Sequence, residues 1–344
     1  MTEFNRRSFL KGVGIFAAST ALPIPSFAKK KAKGGKVKYP NLEFNSNGKF
    51  RIMHITDTHV VSGDKRSERA VKNVIEMLET EKPDLVIHTG DMIFGGNAKD
   101  SLNDILGPIC EHKIPWAVAL GNHDGQFGMS RKEVFDYVRT LPYNINTPQK
   151  PGIDGDSNDL ITISSPDGKQ RWILYLLDTH DRYKTEFVDS WGTLMPSQIE
   201  WYRKESNRLK EANGGKTLPA MAFMHIPLFE HRTAFSDKDK KLIGNKKEDI
   251  CSPDVNTGMF MAMTLQDDVK AMFCGHDHDN DYVMKWHGKY LVYGRFSGCD
   301  TVYNNLKPSG CRMIELNMDS ENFRTYIRMQ GGTIEQELNL PNDL

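Results

Sequence analysis

Five hydrophobic runs in this chain each end in oxygen- and nitrogen-bearing side chains. The endings are Asp57-Thr58-His59, Gly90-Asp91, Gly121-Asn122-His123-Asp124, His225 and Gly275-His276-Asp277-His278. Runs so far apart in sequence can bring such endings together only as strands that finish at one rim. In the last cluster, alternation is expected to put His276 and His278 on one side of an extended backbone, after a tight turn at Gly275. That arrangement constrains the fold more than any other feature.

The spacing of apolar residues fills in the rest. Strands are expected over 49–56, 85–87 and 116–120, separated by helices over 64–80 and 100–112, with a further helix over 131–139. This rhythm describes parallel strands with crossover helices. A hairpin over 161–163 and 171–177, a helix over 197–212 and a strand over 218–224 follow. The lysine-rich stretch 231–253 is expected to be a solvated loop. Strands 269–274, 282–286, 290–293, 312–317 and 323–329 complete one domain over 49–335, preceded by a linker over 29–48.

The first residues have a different character. Asn5-Arg6-Arg7-Ser8-Phe9-Leu10-Lys11 resembles a twin-arginine export signal, a short apolar stretch follows, and Ser26-Phe27-Ala28 suits cleavage after Ala28. An exported, periplasmic or extracytoplasmic protein is therefore expected, with the export machinery as partner and without stable membrane insertion. Without the leader, 42 basic residues face 44 acidic ones, which gives no electrostatic reason to expect nucleic acid. The cysteines Cys110, Cys251, Cys274, Cys299 and Cys311 form neither a metal pattern nor a disulfide framework.

The rim residues pose a coordination problem. Asp57, His59 and His278 can surround one ion, Asn122, His225 and His276 a second, and Asp91 can bridge them. Donors of this kind without thiolate favour iron, manganese, zinc or nickel. Two divalent ions against two carboxylates leave a positive surplus suited to a phosphoester, with a bridging hydroxide as nucleophile. His123, beside a ligand but not itself one, is the expected general acid, and Asp124 is expected to hold its tautomer. Asn122, His123 and Arg295 are the expected substrate contacts.

Taken in order, Asp57-x-His59, Gly90-Asp91, Gly121-Asn122-His123-Asp124, His225 and Gly275-His276-x-His278 resemble the calcineurin-like metallophosphoesterase family over about residues 50–280. Within it, Thr89 to Gly95, Met224-His225-Ile226-Pro227-Leu228 and the stretches 251–258 and 275–281 are most similar to the purple-acid-phosphatase-like phosphatases of fungi and plants. The resemblance implies a four-layer α-β-β-α sandwich of two mixed sheets flanked by helices, and dinuclear phosphoester hydrolysis. Phe94 stands where purple acid phosphatases carry an iron-binding tyrosine, so a colourless centre is expected. The expected activity is that of an exported phosphomonoesterase; alternatives are a phosphodiesterase with the same centre and a non-catalytic metal-binding scaffold. A second tripeptide, Asp178-Thr179-His180, repeats Asp57-Thr58-His59 after another strand but lacks the following helix and Gly-Asp. It is expected to support the site, not to bind metal.

Overall fold

In the computed structural model, which describes residues 42–344, alternating side chains of two sheets meet to form the central core. The first half comprises β1 (Lys49–Ile55), α1 (Glu68–Glu81), β2 (Leu85–His88), α2 (Ala98–Glu111), β3 (Trp116–Val118) and α3 (Arg131–Val138). The middle comprises β4 (Asp159–Ser164), β5 (Gln170–Leu177), β6 (Arg182–Lys184), β7 (Asp189–Trp191), α4 (Pro196–Ala212), β8 (Ala220–Met224), α5 (Phe229–Ser236), β9 (Lys241–Ile243) and α6 (Met259–Gln266). The last part is all strand: β10 (Val269–Cys274), β11 (Val283–Trp286), β12 (Lys289–Tyr293), β13 (Gly310–Asn317), β14 (Phe323–Met329) and β15 (Ile334–Leu340).

The strands form a six-stranded sheet, β15-β14-β13-β1-β2-β3, and a seven-stranded sheet, β4-β5-β8-β10-β12-β11-β9. Both are mixed: β1-β2-β3 and β5-β8-β10-β12 run parallel, and their neighbours run antiparallel. Because strand residues alternate between faces, Ile52, Ile87, Leu174, Phe223 and Phe273 point into the space between the sheets. Met53, Val86 and Val118 meet α1, α2 and α3, while Tyr175, Ala222 and Met272 meet α4 and α6. Burying each large side chain contributes roughly 1.5–3 kcal/mol, which makes the four layers mutually dependent. The expected sandwich is the observed one.

Helix starts are written locally. Asn97 accepts from the N–H groups of Lys99 and Asp100 at the start of α2, and Ser130 and Glu133 cap each other at the start of α3. The stretch expected to be a loop over 231–253 instead contains most of α5 and the edge strand β9, which pairs antiparallel with β11. A short edge strand with an exposed lysine, here Lys241, discourages pairing with other chains. At the other sheet's edge, β15 carries the domain past the expected end at 335. Among the described residues no helix is long and apolar enough to cross a membrane. All five cysteines are free thiols. The export signal and most of the linker lie outside the described residues.

Candidate metal centre

The parallel strands deliver the site. Asp57 and His59 follow β1, Asp91 follows β2, Asn122 follows β3, His225 follows β8, and His276 and His278 follow β10, so both sheets contribute. Two groups of donors result, Asp57-His59-His278 and Asp91-His225-His276, each with its donor atoms within 4.8 Å of one another and every member buried. The Asn122 Oδ1 lies 2.9 Å from the His225 Nε2.

Asp57, His59, Asp91 and His276 adopt left-handed φ values of 55°, 47°, 53° and 78°. Non-glycine residues seldom sit there, and their concentration at one rim marks a site held against local strain. The extended backbone expected in the last cluster needs correcting, because the chain at His276 turns left-handed, while His276 and His278 fall in the two different groups expected of them. Gly275 matters for a different reason. A Cβ on it would collide with the Thr56 hydroxyl and the Asp57 carboxylate, and one on Gly90 would strike the Gly121 backbone.

Several contacts orient the donors. The His278 Nδ1 lies 2.8 Å from the Tyr303 carbonyl and the His225 Nδ1 lies 2.6 Å from the Thr89 carbonyl, so each ring donates outward and turns its Nε2 inward. The Asp57 Oδ2 accepts from the Thr56 hydroxyl at 2.7 Å and the His276 N–H at 3.0 Å. Its Oδ1 has no hydrogen-bond partner among the described residues, nor has the His276 Nε2. The Nε2 atoms of His59 and His278 face each other at 3.0 Å. Asp91 is central, its Oδ2 being 3.6 Å from the His59 Nε2, 3.3 Å from the His225 Nε2 and 4.0 Å from the His123 Nε2.

Charge explains the protonation pattern. Burial alone would lower His225, but the Asp91 and Asp57 carboxylates outweigh it and raise the ring to about 9. Burial and the neighbouring His225 push His276 down to about 3. Burial works against ionised Asp57 and Asp91, yet the surrounding imidazoles hold both well below the usual carboxylate range. No lysine or arginine among the described residues pairs with either carboxylate. Two buried carboxylates whose only cationic company is imidazole, with orphaned inward-facing donors, fit divalent cations.

His123 sits at the mouth, its side chain 31% exposed. Its N–H donates to the Asp91 Oδ1 at 2.8 Å, and its Nδ1 meets the Gln126 Oε1 at 2.7 Å. Asp124 therefore does not hold this ring. Its carboxylate accepts from the N–H groups of Asp91, Met92 and Gly121 at 2.8–3.0 Å and ties two ligand loops together. Burial and the Asp91 charge push it up to about 6. Gln126 was missed, although the spacing His123-x-x-Gln126 across a turn was a usable signal. Arg295 is also not where substrate would meet it: its guanidinium is buried, paired with Asp281 at 2.5 Å and bonded to the Pro308 carbonyl.

Aromatic rings flank the donors. Trp191, on the β6-β7 ribbon, packs edge-on against His276 at 4.4 Å, Tyr303 stacks on His278 at 4.5 Å, and Phe94 lies 5.3 Å from His59. The stretch after β9 is fastened to the 277–281 loop through Asn245 N–H to Asp281, Lys247 N–H to Asn280 and Cys251 N–H to Asp277. It braces the loop that carries His278.

A double-sheet sandwich with two such donor groups at one rim defines the dinuclear metal-dependent hydrolases. The calcineurin-like phosphoesterase profile matches residues 50–280, and this chain belongs to that family of phosphoric-ester hydrolases. It is 32% identical over 304 residues to a protein of Arabidopsis thaliana named "Probable inactive purple acid phosphatase 29", spanning 79% of this chain and 75% of that one. It is 29% identical over 336 residues to the phosphatase DCR2 of Saccharomyces cerevisiae, spanning 86% of this chain and 56% of that one. Its fold superposes on a dimetal phosphatase from Danio rerio with a TM-score of 0.58 at 12% identity, covering 85% of this chain and 98% of that one.

Proposed function

We propose that this chain is an exported dinuclear phosphomonoesterase in which His123 protonates the departing alkoxide. One observation carries the reading: a single oxygen, Asp91 Oδ2, lies 3.3–4.0 Å from a histidine of each donor group and from the His123 Nε2. A carboxylate so placed can bridge two ions while facing the acid. Asp57, His59 and His278 would hold one divalent ion and Asn122, His225 and His276 a second, and the pair would supply Lewis acidity and an acidified water. The protein residues do the rest. Asn122 and His123 contact the phosphate, and Gln126 accepts from the His123 Nδ1, so the Nε2 is the nitrogen aimed inward as the acid. Phe94, packed on His59 and His123, has no oxygen to offer an ion, in keeping with a colourless centre.

Chelated protein reloaded separately with manganese, zinc and iron should take up two ions per chain and prefer nitrophenyl phosphate to its bis-nitrophenyl diester. In the loaded protein, His123→Asn should slow alkyl phosphates by roughly 100-fold and nitrophenyl phosphate far less. Equal losses on both remove the acid role, and a preference for the diester moves the assignment to a phosphodiesterase. A scaffold reading draws on the word "inactive" in the name of the plant relative, which describes that protein. Against it, every ligand position and His123 are occupied here, and uptake of less than one ion per chain would favour it. Export is tested by cell fractionation with Arg6→Lys and Arg7→Lys together; unaltered delivery across the membrane removes that part.

A further inference from the structure

This inference rests on the reading above, which puts His123 on the side from which the alcohol departs. Beyond His123 the surface is aromatic. Its ring packs edge-on against Phe94 at 5.1 Å, and Phe94 packs on Phe127 at 5.7 Å. Phe127 is one wall of a groove of about 730 Å³. The two sides of the groove continue the ligand loops: residues 96–99 run on from Asp91, and residues 127–129 run on from Asn122 and His123. Tyr137 of α3 lines it further, with the Lys99 ammonium 5.3 Å from its ring.

The charges in the groove are unevenly spoken for. Glu133 accepts from the Ser130 N–H and hydroxyl, and Asp136 pairs with Lys132 at 2.5 Å and Arg139 at 3.5 Å. Lys99 makes no ion pair within 4 Å among the described residues, its charge reaching Glu133 only through space, and leaves its ammonium over an aromatic floor. We infer that the groove between Lys99, Phe127 and Tyr137 is the leaving-group subsite, selecting phosphomonoesters whose alcohol carries an aromatic ring with an anionic substituent. Such a ring lies along Phe127 and Tyr137, where apolar area and ring–ring geometry favour it, and places its anion against Lys99.

The test is calorimetric binding of two non-hydrolysable probes, ethylphosphonate and para-carboxyphenylphosphonate, to the metal-loaded chain. Wild type should bind the aryl probe about tenfold more tightly than the ethyl probe. Phe127→Ala should cut this ratio by about tenfold and Lys99→Glu by about fivefold. Lys99 is exposed, and thermal melts check that each variant folds. A wild-type ratio near unity, or one that neither folded variant moves, overturns the subsite and leaves the phosphatase reading standing. Failure of the loaded wild type to bind either phosphonate overturns the phosphatase reading, and the subsite with it.

Discussion

Two copies of one tripeptide end strands in opposite sheets, Asp57-Thr58-His59 after β1 and Asp178-Thr179-His180 after β5. Both aspartates are buried, and both terminal histidines are left-handed, with φ of 47° at His59 and 64° at His180. Their partners differ. The Asp178 Oδ1 pairs with Arg131 at 2.5 Å, and its Oδ2 accepts from the Asp156 and Ser157 N–H groups and the Ser157 hydroxyl. The Asp57 Oδ1 makes no hydrogen bond, having only the His278 and His59 Nε2 atoms near it at 3.6 and 3.7 Å, and no arginine or lysine among the described residues pairs with that carboxylate. A buried carboxylate with its own arginine is electrostatically complete, whereas one without it requires a cation from outside. The second tripeptide still serves the first. Arg131 donates to the Gly121 carbonyl, and the Thr179 hydroxyl accepts from the Ile226 N–H at 3.0 Å, which secures the loops bearing Asn122 and His225.

The sharpest way to break this comparison is to neutralise each aspartate in turn. Asp57→Asn should lower phosphatase turnover on the order of a thousandfold, because an ion and its charge are lost. Bound metal should fall toward one ion per chain. Asp178→Asn should keep both ions but cost about 3–5 kcal/mol in urea unfolding, since it strands a buried guanidinium. Asp57→Asn should cost clearly less stability in the metal-free protein, where it removes a carboxylate that already lacks a partner for one oxygen. Loss of metal from both variants alike would erase the distinction.

A smaller effect follows from what balances the rim carboxylates when metal is absent. With His225 raised to about 9, a proton is the stand-in cation near pH 7.5. Metal requires the neutral ring, so loading should release a proton per chain from His225 at that pH, beside those from His278 and from metal-acidified water, and the His225 share should fade as pH rises through about 9. Apparent metal affinity should climb over the same interval. Calorimetry in buffers of different ionisation enthalpy measures this, and Asp178→Asn should not alter it, because Arg131 is already the cation there. Zero release near pH 7.5 would mean that the carboxylates are balanced in some other way.

Strands that carry ligands were legible because they are buried on both faces and end in chemistry that no turn requires. Elements at the edges were not. In β15 only Leu338 and Leu340 are buried, and β9 has three residues, none of them buried, so neither is long or apolar enough to mark a strand. The ligand set could be read from order and position, but how its support is wired could not. Whether Asp124 serves His123 or the backbone depends on where the Asp91, Met92 and Gly121 N–H groups point. Arg295 illustrates the same limit, since only the packed structure reveals that Asp281 already occupies it.

The smallest effect tests whether Asp178 is complete as a carboxylate or merely as a hydrogen-bond acceptor. Burial alone would raise its pKa, but Arg131, His180 and backbone N–H donors hold it well below the ordinary 3.8. For such a group the stabilisation is fully present above the unfolded value, and it is lost as pH falls toward the folded one, because the unfolded chain takes up a proton that the native chain refuses. From about pH 5 to about pH 3 this term removes about 1 kcal/mol from wild type and nothing from Asp178→Asn, which has no proton to gain. The gap between the two urea stabilities should therefore narrow by that amount on acidification, with the other carboxylates cancelling in the difference. A gap that stays constant would show that Arg131 is indifferent to the charge at position 178. The contrast between the twin tripeptides would then rest on hydrogen bonds alone.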